Sequence, residues 1–369
     1  MKKLIQGIES IKDLINHGNS LLNLTIQDLD LTKADIDWAN VKMANTAFLG
    51  CKMSKETEAI LREKGAFIYP KFVGYPYNPY RKNLYTWQEL MDGYDPKNDQ
   101  SVDFKIYTHF NNQRYSADIN EALAQRIHDH AIDDALHTII GMDSNGMTEK
   151  KCVGIMGGHG VLRNEKAYTK VAMIAQHLAQ EGYFILTGGG PGVMEAGNLG
   201  AYFAHYSPQE LEDAIAMLSK TPDAKHHDYV DTACTVLKKY PDGADSLAIP
   251  TWFFGHEPSN VFATHIAKYF ANSIREDVLL GASLYGVIYA PGSAGTMQEV
   301  FADLTQNHYK TQGYISPMIF FDTDFWEKKS GLFPFIKHFA KGKKYEKMIL
   351  ASDNIDEITT FITKHPPIQ

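Results

Sequence analysis

Three glycine-rich stretches are the part of this 369-residue chain best suited to chemistry. They read Gly157-Gly158-His159-Gly160, Gly188-Gly189-Gly190-Pro191-Gly192 and Pro291-Gly292-Ser293-Ala294-Gly295-Thr296. A glycine turn leading from a strand into a helix exposes backbone N–H groups at the positive end of the helix dipole, which makes an anion or phosphate site. Three such turns together point to a phosphate-bearing small molecule. They do not spell a dinucleotide fingerprint, because Val161, Leu162 and Arg163 follow Gly160 where a third glycine is needed. No Gly-Lys-Ser/Thr occurs either, so the lysine of a nucleotide-triphosphate loop is missing. A mononucleotide or sugar phosphate fits better than NAD or ATP. The expected phosphate contacts are Gly157, Gly158, Gly189, Gly190, Gly192, Gly292, Ser293, Gly295 and Thr296.

The elements that must position these turns alternate between strand and helix from residue 151 onward. Apolar runs at 152–156, 183–186, 248–249, 285–290, 317–321 and 348–350 read as buried strands. Val171, Ile174, Ala175 and Leu178 make a helical stripe that closes at Gly182. Ser207-Pro208-Gln209-Glu210 is a capping box with proline at the first helical position. Alternating β and α units of this composition predict a doubly wound, mostly parallel sheet. Ligands on such sheets sit at the carboxyl ends of the strands, where all three glycine turns fall.

The first 150 residues have a different character. Every fifth residue from Leu24 gives Leu24, Leu29, Ala34, Ala39, Ala44 and Leu49, and two places later Ile26, Leu31, Ile36, Val41, Thr46 and Cys51. A period of five fits neither an α-helix nor a flat strand, and the pattern over residues 1–54 resembles a pentapeptide repeat, expected to pack or to make oligomer contacts rather than to react. Residues 55–64 predict a short helix stopped by Gly65, and a tyrosine- and proline-rich stretch after it predicts an extended wrap. Ile119–Ile140 reads as a helix; its His130 and Asp134 share a face, yet a solvated helical surface accounts for them better than a metal. The domains expected are thus a repeat module at 1–54, a helical or irregular extension at 55–150 and a nucleotide-binding domain at 151–369.

Composition removes other classes. The net charge is −8 and no five consecutive Lys/Arg occur, which argues against nucleic acid as a partner. No apolar stretch is long enough to span a bilayer, and the N-terminus is too polar for a signal peptide. Three scattered cysteines form neither a disulfide framework nor a zinc motif, so a cytoplasmic protein without metal or other cofactor is expected.

Thr187-Gly-Gly-Gly-Pro-Gly-Val-Met-Glu-Ala-Gly-Asn-Leu-Gly-Ala201 followed by Pro291-Gly-Ser-Ala-Gly-Thr-Met-Gln-Glu299 resembles the paired signatures of the LOG (Lonely Guy) family, long mislabelled lysine decarboxylases. The likeness covers roughly residues 150–350, with Ser293 standing where the family motif carries glycine. It implies a Rossmann-like fold, a homodimer or larger assembly, and hydrolysis of the N-glycosidic bond of nucleoside 5′-monophosphates, cytokinin ribotides among them, to base and ribose 5-phosphate. It also implies a catalytic pair, matched here by Arg275 and Glu299, and base or ribose contacts at Met194 and Glu195. The physics is consistent: cleavage builds positive charge on the ribose, a carboxylate at Glu299 stabilises it or activates water, and an arginine keeps that carboxylate ionised. The alternative is a non-catalytic carrier of a nucleotide or a molybdenum-cofactor-type ligand. A decarboxylase using pyridoxal phosphate would need a Schiff-base lysine, and Lys268 has no such context. Lesser candidates are His159 as a phosphate contact or a solvated loop residue, Asn198 as a ligand contact or helix cap, and Gly255-His256-Glu257-Pro258-Ser259-Asn260 as an edge of the cleft before a helix, with Ser259 or Asn260 equally an N-cap of that helix. Lys225-His226-His227-Asp228 reads as a solvated loop.

Overall fold

The five-residue spacing between residues 24 and 51 folds into parallel strands stacked one turn of chain above the next. In the computed structural model, which describes residues 3–5, 7–18 and 20–369, strands Lys3–Ile5, Leu24–Gln27, Ala47–Leu49 and Phe67–Tyr69 form one parallel sheet in that order. Ser20–Leu22 pairs with Lys42–Ala44 in a second sheet. Across the middle turns, where Thr25 pairs with Ala47 and Ser20 with Lys42, equivalent positions are 22 residues apart, and Asn45 Nδ2 donates to Asn23 Oδ1 at 2.9 Å. The corners are taken by Asn23, Asp28, Asn45 and Gly50, with φ of 56°, 51°, 50° and 63°. Asn and Asp accept this left-handed backbone better than other side-chain-bearing residues, and glycine accepts it freely. Of the two apolar series, one lines the interior: Ile26, Leu31, Val41, Thr46 and Cys51 are buried and Ile36 is half-buried. The other turns outward at Ala39 and Ala44.

The chain divides into two compact units, Met1–Asn83 with Tyr115–Ala131, and Leu84–Arg114 with Ile132–Gln369. The helices expected at 55–64 and 119–140 run over Lys55–Glu63 and Ile119–Ile140.

The second unit is built on a seven-stranded sheet, with helices flanking it. Its strands are β1 (Lys151–Met156), β2 (Tyr183–Thr187), β3 (Leu247–Ala248), β4 (His265–Ile266), β5 (Val287–Tyr289), β6 (Met318–Phe321) and β7 (Ile349–Ser352). The order across the sheet is β4-β3-β2-β1-β5-β6-β7 and every pair is parallel. Val153, Ile155, Ile185, Ile288 and Ile319 are buried in it, as a parallel sheet covered on both faces requires. Helix α1 (Lys166–Gln180) joins β1 to β2, α2 (Val193–Tyr202) follows β2, α3 (Asn272–Ala282) precedes β5, and α4 (Ala294–Tyr309) follows it. The fold is the Rossmann-like doubly wound class expected. The two-residue edge strand β4 had no sequence pattern long enough to show it. Because β1 lies between β2 and β5, the chain winds outward in both directions from β1, and the crevice beyond the carboxyl ends of β1 and β5 is the topological switch point. No helix among the described residues is long and apolar enough to cross a membrane.

Candidate functional site

At the switch point the first and third glycine turns hold one another. The Gly158 N–H donates to the Pro291 carbonyl at 2.9 Å, and the Val193 N–H donates to the Gly158 carbonyl at 3.2 Å. Gly192, at φ 69°, brings α2 so close that a side chain there would strike the Gly158 and His159 carbonyls. In the second turn the Gly189 N–H is taken by Thr187 Oγ1 at 3.1 Å. The expected phosphate cradle is therefore corrected at Gly158, whose amide joins the first turn to the third, and at Gly189, whose amide is tied to Thr187 within its own turn.

The open donors are elsewhere. The first bond of α4 along its backbone runs from the Met297 N–H to the Ser293 carbonyl, and the Ser293 hydroxyl makes no cap. The amides of Ala294, Gly295 and Thr296 have no helical partner. Gly295 and Thr296 line a cavity of about 350 Å³, with Gly157, Gly158, Gly190, Met194 and Ser293 and with Arg275 and Glu299. Gly189, Gly192, Gly292 and Glu195 do not line it. His159, Thr251, Phe254, Glu257 and Glu276 do.

Arg275 and Glu299 meet in this cavity. Arg275 Nε donates to the Ile249 carbonyl at 2.7 Å and Nη2 to the Gly188 carbonyl at 3.4 Å, so the guanidinium is seated on backbone just beyond the ends of β2 and β3. Its Nη1 lies 3.4 Å from Glu299 Oε1. Both residues are buried, at 7% and 9% exposure. A side chain at Gly188 would meet Arg275 Nη2 and the Met194 sulfur, so the arginine head or the methionine would have to shift. Burial pushes the Glu299 carboxyl above its ordinary range; Arg275 pulls it back and the neighbouring Glu276 pushes it further up. Glu276 is held by Asn272 Nδ2 at 2.7 Å and Gln298 Nε2 at 2.5 Å. Behind α4, the Tyr289 hydroxyl donates to Asp303 at 2.8 Å. Burial raises that carboxyl to about 7.

Glu195 has a different job from the one expected of it. Its carboxylate accepts two bonds from Arg163, at 2.8 and 2.5 Å, and one each from the Tyr168 and Tyr229 hydroxyls, at 2.8 Å. Arg163 also donates to Thr221 Oγ1 at 3.1 Å and to the Tyr229 carbonyl at 3.0 Å, and its guanidinium lies over the Tyr229 ring. This buried knot ties the loop after β1 to the first turn of α2. Its bonded pairs are 27 to 66 residues apart in sequence, with no motif to announce them.

Asn198 neither reaches the cavity nor caps a helix: it accepts from Thr187 Oγ1 at 2.6 Å and Asn260 Nδ2 at 2.9 Å, and donates to Ser246. No helix follows Ser259 and Asn260; the chain runs on to β4 instead, so neither caps one. The wall from 253 to 259 is pinned by His256 Nε2 to Asp99 at 3.0 Å and by Asp103, which accepts from Trp252 Nε1, Lys268 Nζ and Ser259. Lys268, ion-paired at 2.8 Å and 4% exposed, is not placed for a Schiff base. Among the described residues, the one trio of side chains close enough to share a metal is His226, His227 and Asp228, on the surface.

Residues 150–205 match the model of the SLOG cluster4 family. No curated protein matches the chain by sequence. Among solved structures, the chain is similar to the molybdenum cofactor binding protein of the phototrophic bacterium Rippkaea orientalis, at 18% identity and a TM-score of 0.38, covering 59% of this chain and 98% of that one. It is also similar to the molybdenum cofactor carrier protein of Chlamydomonas reinhardtii, at 13% identity and a TM-score of 0.36, over 58% and 98% of the two chains.

Proposed function

We propose that the cavity hydrolyses the N-glycosidic bond of a nucleoside 5′-monophosphate, giving free base and ribose 5-phosphate. The observation that carries this reading is the buried Arg275–Glu299 pair beside the uncapped amino end of α4. The amides of Ala294, Gly295 and Thr296 and the Ser293 hydroxyl bind the phosphate dianion, which the helix dipole favours. Met156, Met194 and Phe254 offer apolar surface to the base. Glu299 faces the ribose, where positive charge develops as the bond breaks. Ionised, it stabilises that charge and takes a proton from the attacking water. Arg275, fixed by two carbonyls, sets its charge against the upward push of burial on the Glu299 carboxyl. The paired glycine motifs and their likeness to the LOG family support the same reading.

The test is incubation with AMP, GMP, CMP and UMP and chromatography of the released base. Glu299→Gln keeps the shape and removes the charge, so kcat should fall about 10²-fold or more while binding persists. Arg275→Ala should cost a similar factor, and the double variant little more, because the pair acts as a unit. Tight binding of a monophosphate with no release of base by the parent protein would replace this reading with that of a carrier.

A further inference from the structure

The cavity's charges do not balance. The titratable side chains lining it are Glu257, Glu276, Glu299, Arg275 and His159, so three carboxylates face one guanidinium. Arg275 is committed to Glu299 and to two backbone carbonyls. Glu276 is satisfied by the amides of Asn272 and Gln298, which supply hydrogen bonds but no charge. Glu257 is exposed to the cavity beside Gly190. Even with Glu299 protonated the lining stays negative, and a bound phosphate adds about −1.5 to −2 more. A second observation points to the ligand part that answers this field. Phe254, 67% exposed, lines the same cavity as Glu257. An aromatic face flanked by carboxylates is the recognition chemistry of a flat cation.

Resting on the nucleotide reading above, we propose that the preferred substrate is a nucleoside 5′-monophosphate whose base is a permanent cation, a pyridinium ribotide. The chemistry agrees. In a neutral nucleotide the departing base leaves as an anion unless an acid protonates it. In a pyridinium ribotide the C1′–N electron pair returns to the ring nitrogen and the base leaves neutral, with no proton needed. Water adds to C1′, its proton passes to Glu299 and then to solvent, and the products are neutral pyridine base and ribose 5-phosphate. One carboxylate then suffices for the proton transfer, leaving Glu257 and Glu276 to attract the cation.

The experiment compares nicotinamide mononucleotide with its reduced form, which has nearly the same size and no ring charge, by calorimetric titration. AMP and UMP are run beside them in the base-release assay. The oxidised form should bind about tenfold tighter or more than the reduced form, an advantage that shrinks in Glu257→Gln and Glu276→Gln and with added salt. Its kcat/KM should likewise exceed that of AMP and UMP by about tenfold or more. Equal binding of oxidised and reduced forms, or no binding of either, overturns the cation preference. If neutral nucleotides are still hydrolysed in that case, the phosphoribohydrolase reading stands without it. Selective binding of the cation with no release of any base supports the preference and overturns the hydrolase.

Discussion

Glu195→Ala tests whether the second glycine motif carries a ligand residue or a structural one. The variant leaves the Arg163 guanidinium, 1% exposed, without its counter-charge, and removes the acceptor of the Tyr168 and Tyr229 hydroxyls. Burial and the Glu195 charge hold both phenols protonated in the parent, so they are donors that lose their partner. Breaking a buried ion pair costs about 3–5 kcal/mol, mostly as the penalty of the stranded charge. A domain of this size loses roughly 2–4 °C of Tm per kcal/mol, so Tm should fall by roughly 6–20 °C. Thermal melts followed by circular dichroism measure this directly, with Glu299→Gln as the comparison because it removes a cavity-facing carboxylate rather than a knot. Glu195→Gln keeps the shape and should cost less. The reasoning fails if Glu195→Ala melts within about 2 °C of the parent while nucleotide affinity collapses; Glu195 would then contact ligand.

Other expectations follow from the same geometry. Asp303 holds a proton in the folded protein that the unfolded chain releases above its ordinary 3.8, so its contribution to stability is present below that value and is lost as pH rises through about 7. Asp303→Asn should therefore raise Tm at about pH 8 and lose that advantage near pH 4, read from melts across the range. Gly188→Ala places a methyl against Arg275 Nη2 and the Met194 sulfur, and should abolish turnover and weaken nucleotide binding in a titration. The acidic limb of the kcat profile should lie above the usual glutamate range and move lower in Glu276→Gln, which removes a charge that holds the Glu299 carboxyl up.

The strands and the three turns were legible because buried parallel strands and strand-to-helix glycine turns are local signals. Cys152–Met156, Tyr183–Leu186 and Pro317–Phe321 are short apolar runs bounded by breakers, and their ranges differ from the observed ones by a residue at most. Arg275 and Glu299 were placed by a motif likeness, and the structure brings them to 3.4 Å. What escaped was whatever depends on non-local hydrogen bonds. Nothing in Gly160-Val161-Leu162-Arg163 says that this arginine will close on Glu195. The helix expected after Asn260 failed for the same reason: the asparagine that looked like a cap bonds Asn198 and the Phe262 amide within a short connection to β4.

The division of labour among the glycine turns follows from that. A strand-to-helix turn can offer its amides to a ligand or to a neighbouring turn, not to both at once. Gly158 gives its N–H to Pro291 and its carbonyl to Val193, which ties the turn after β1 to those after β5 and β2, while Gly189 is tied to Thr187 within its own turn. That rigidity frees the third turn. Ser293 leaves the amino end of α4 uncapped, a cost in helix stability of about 1 kcal/mol relative to a capped end. A ligand phosphate would supply the missing acceptor. The same helix carries Glu299 in its first two turns, so a phosphate at its amino end and the carboxylate would be held on one rigid element at fixed separation. A serine at position 293 that declines to cap keeps these amides available, which is why Ser293→Asp, adding a capping carboxylate of its own, should compete with phosphate. Weaker binding of a monophosphate with a raised Tm is the expected pair of results in titration and melt, and unchanged affinity would place the phosphate away from α4.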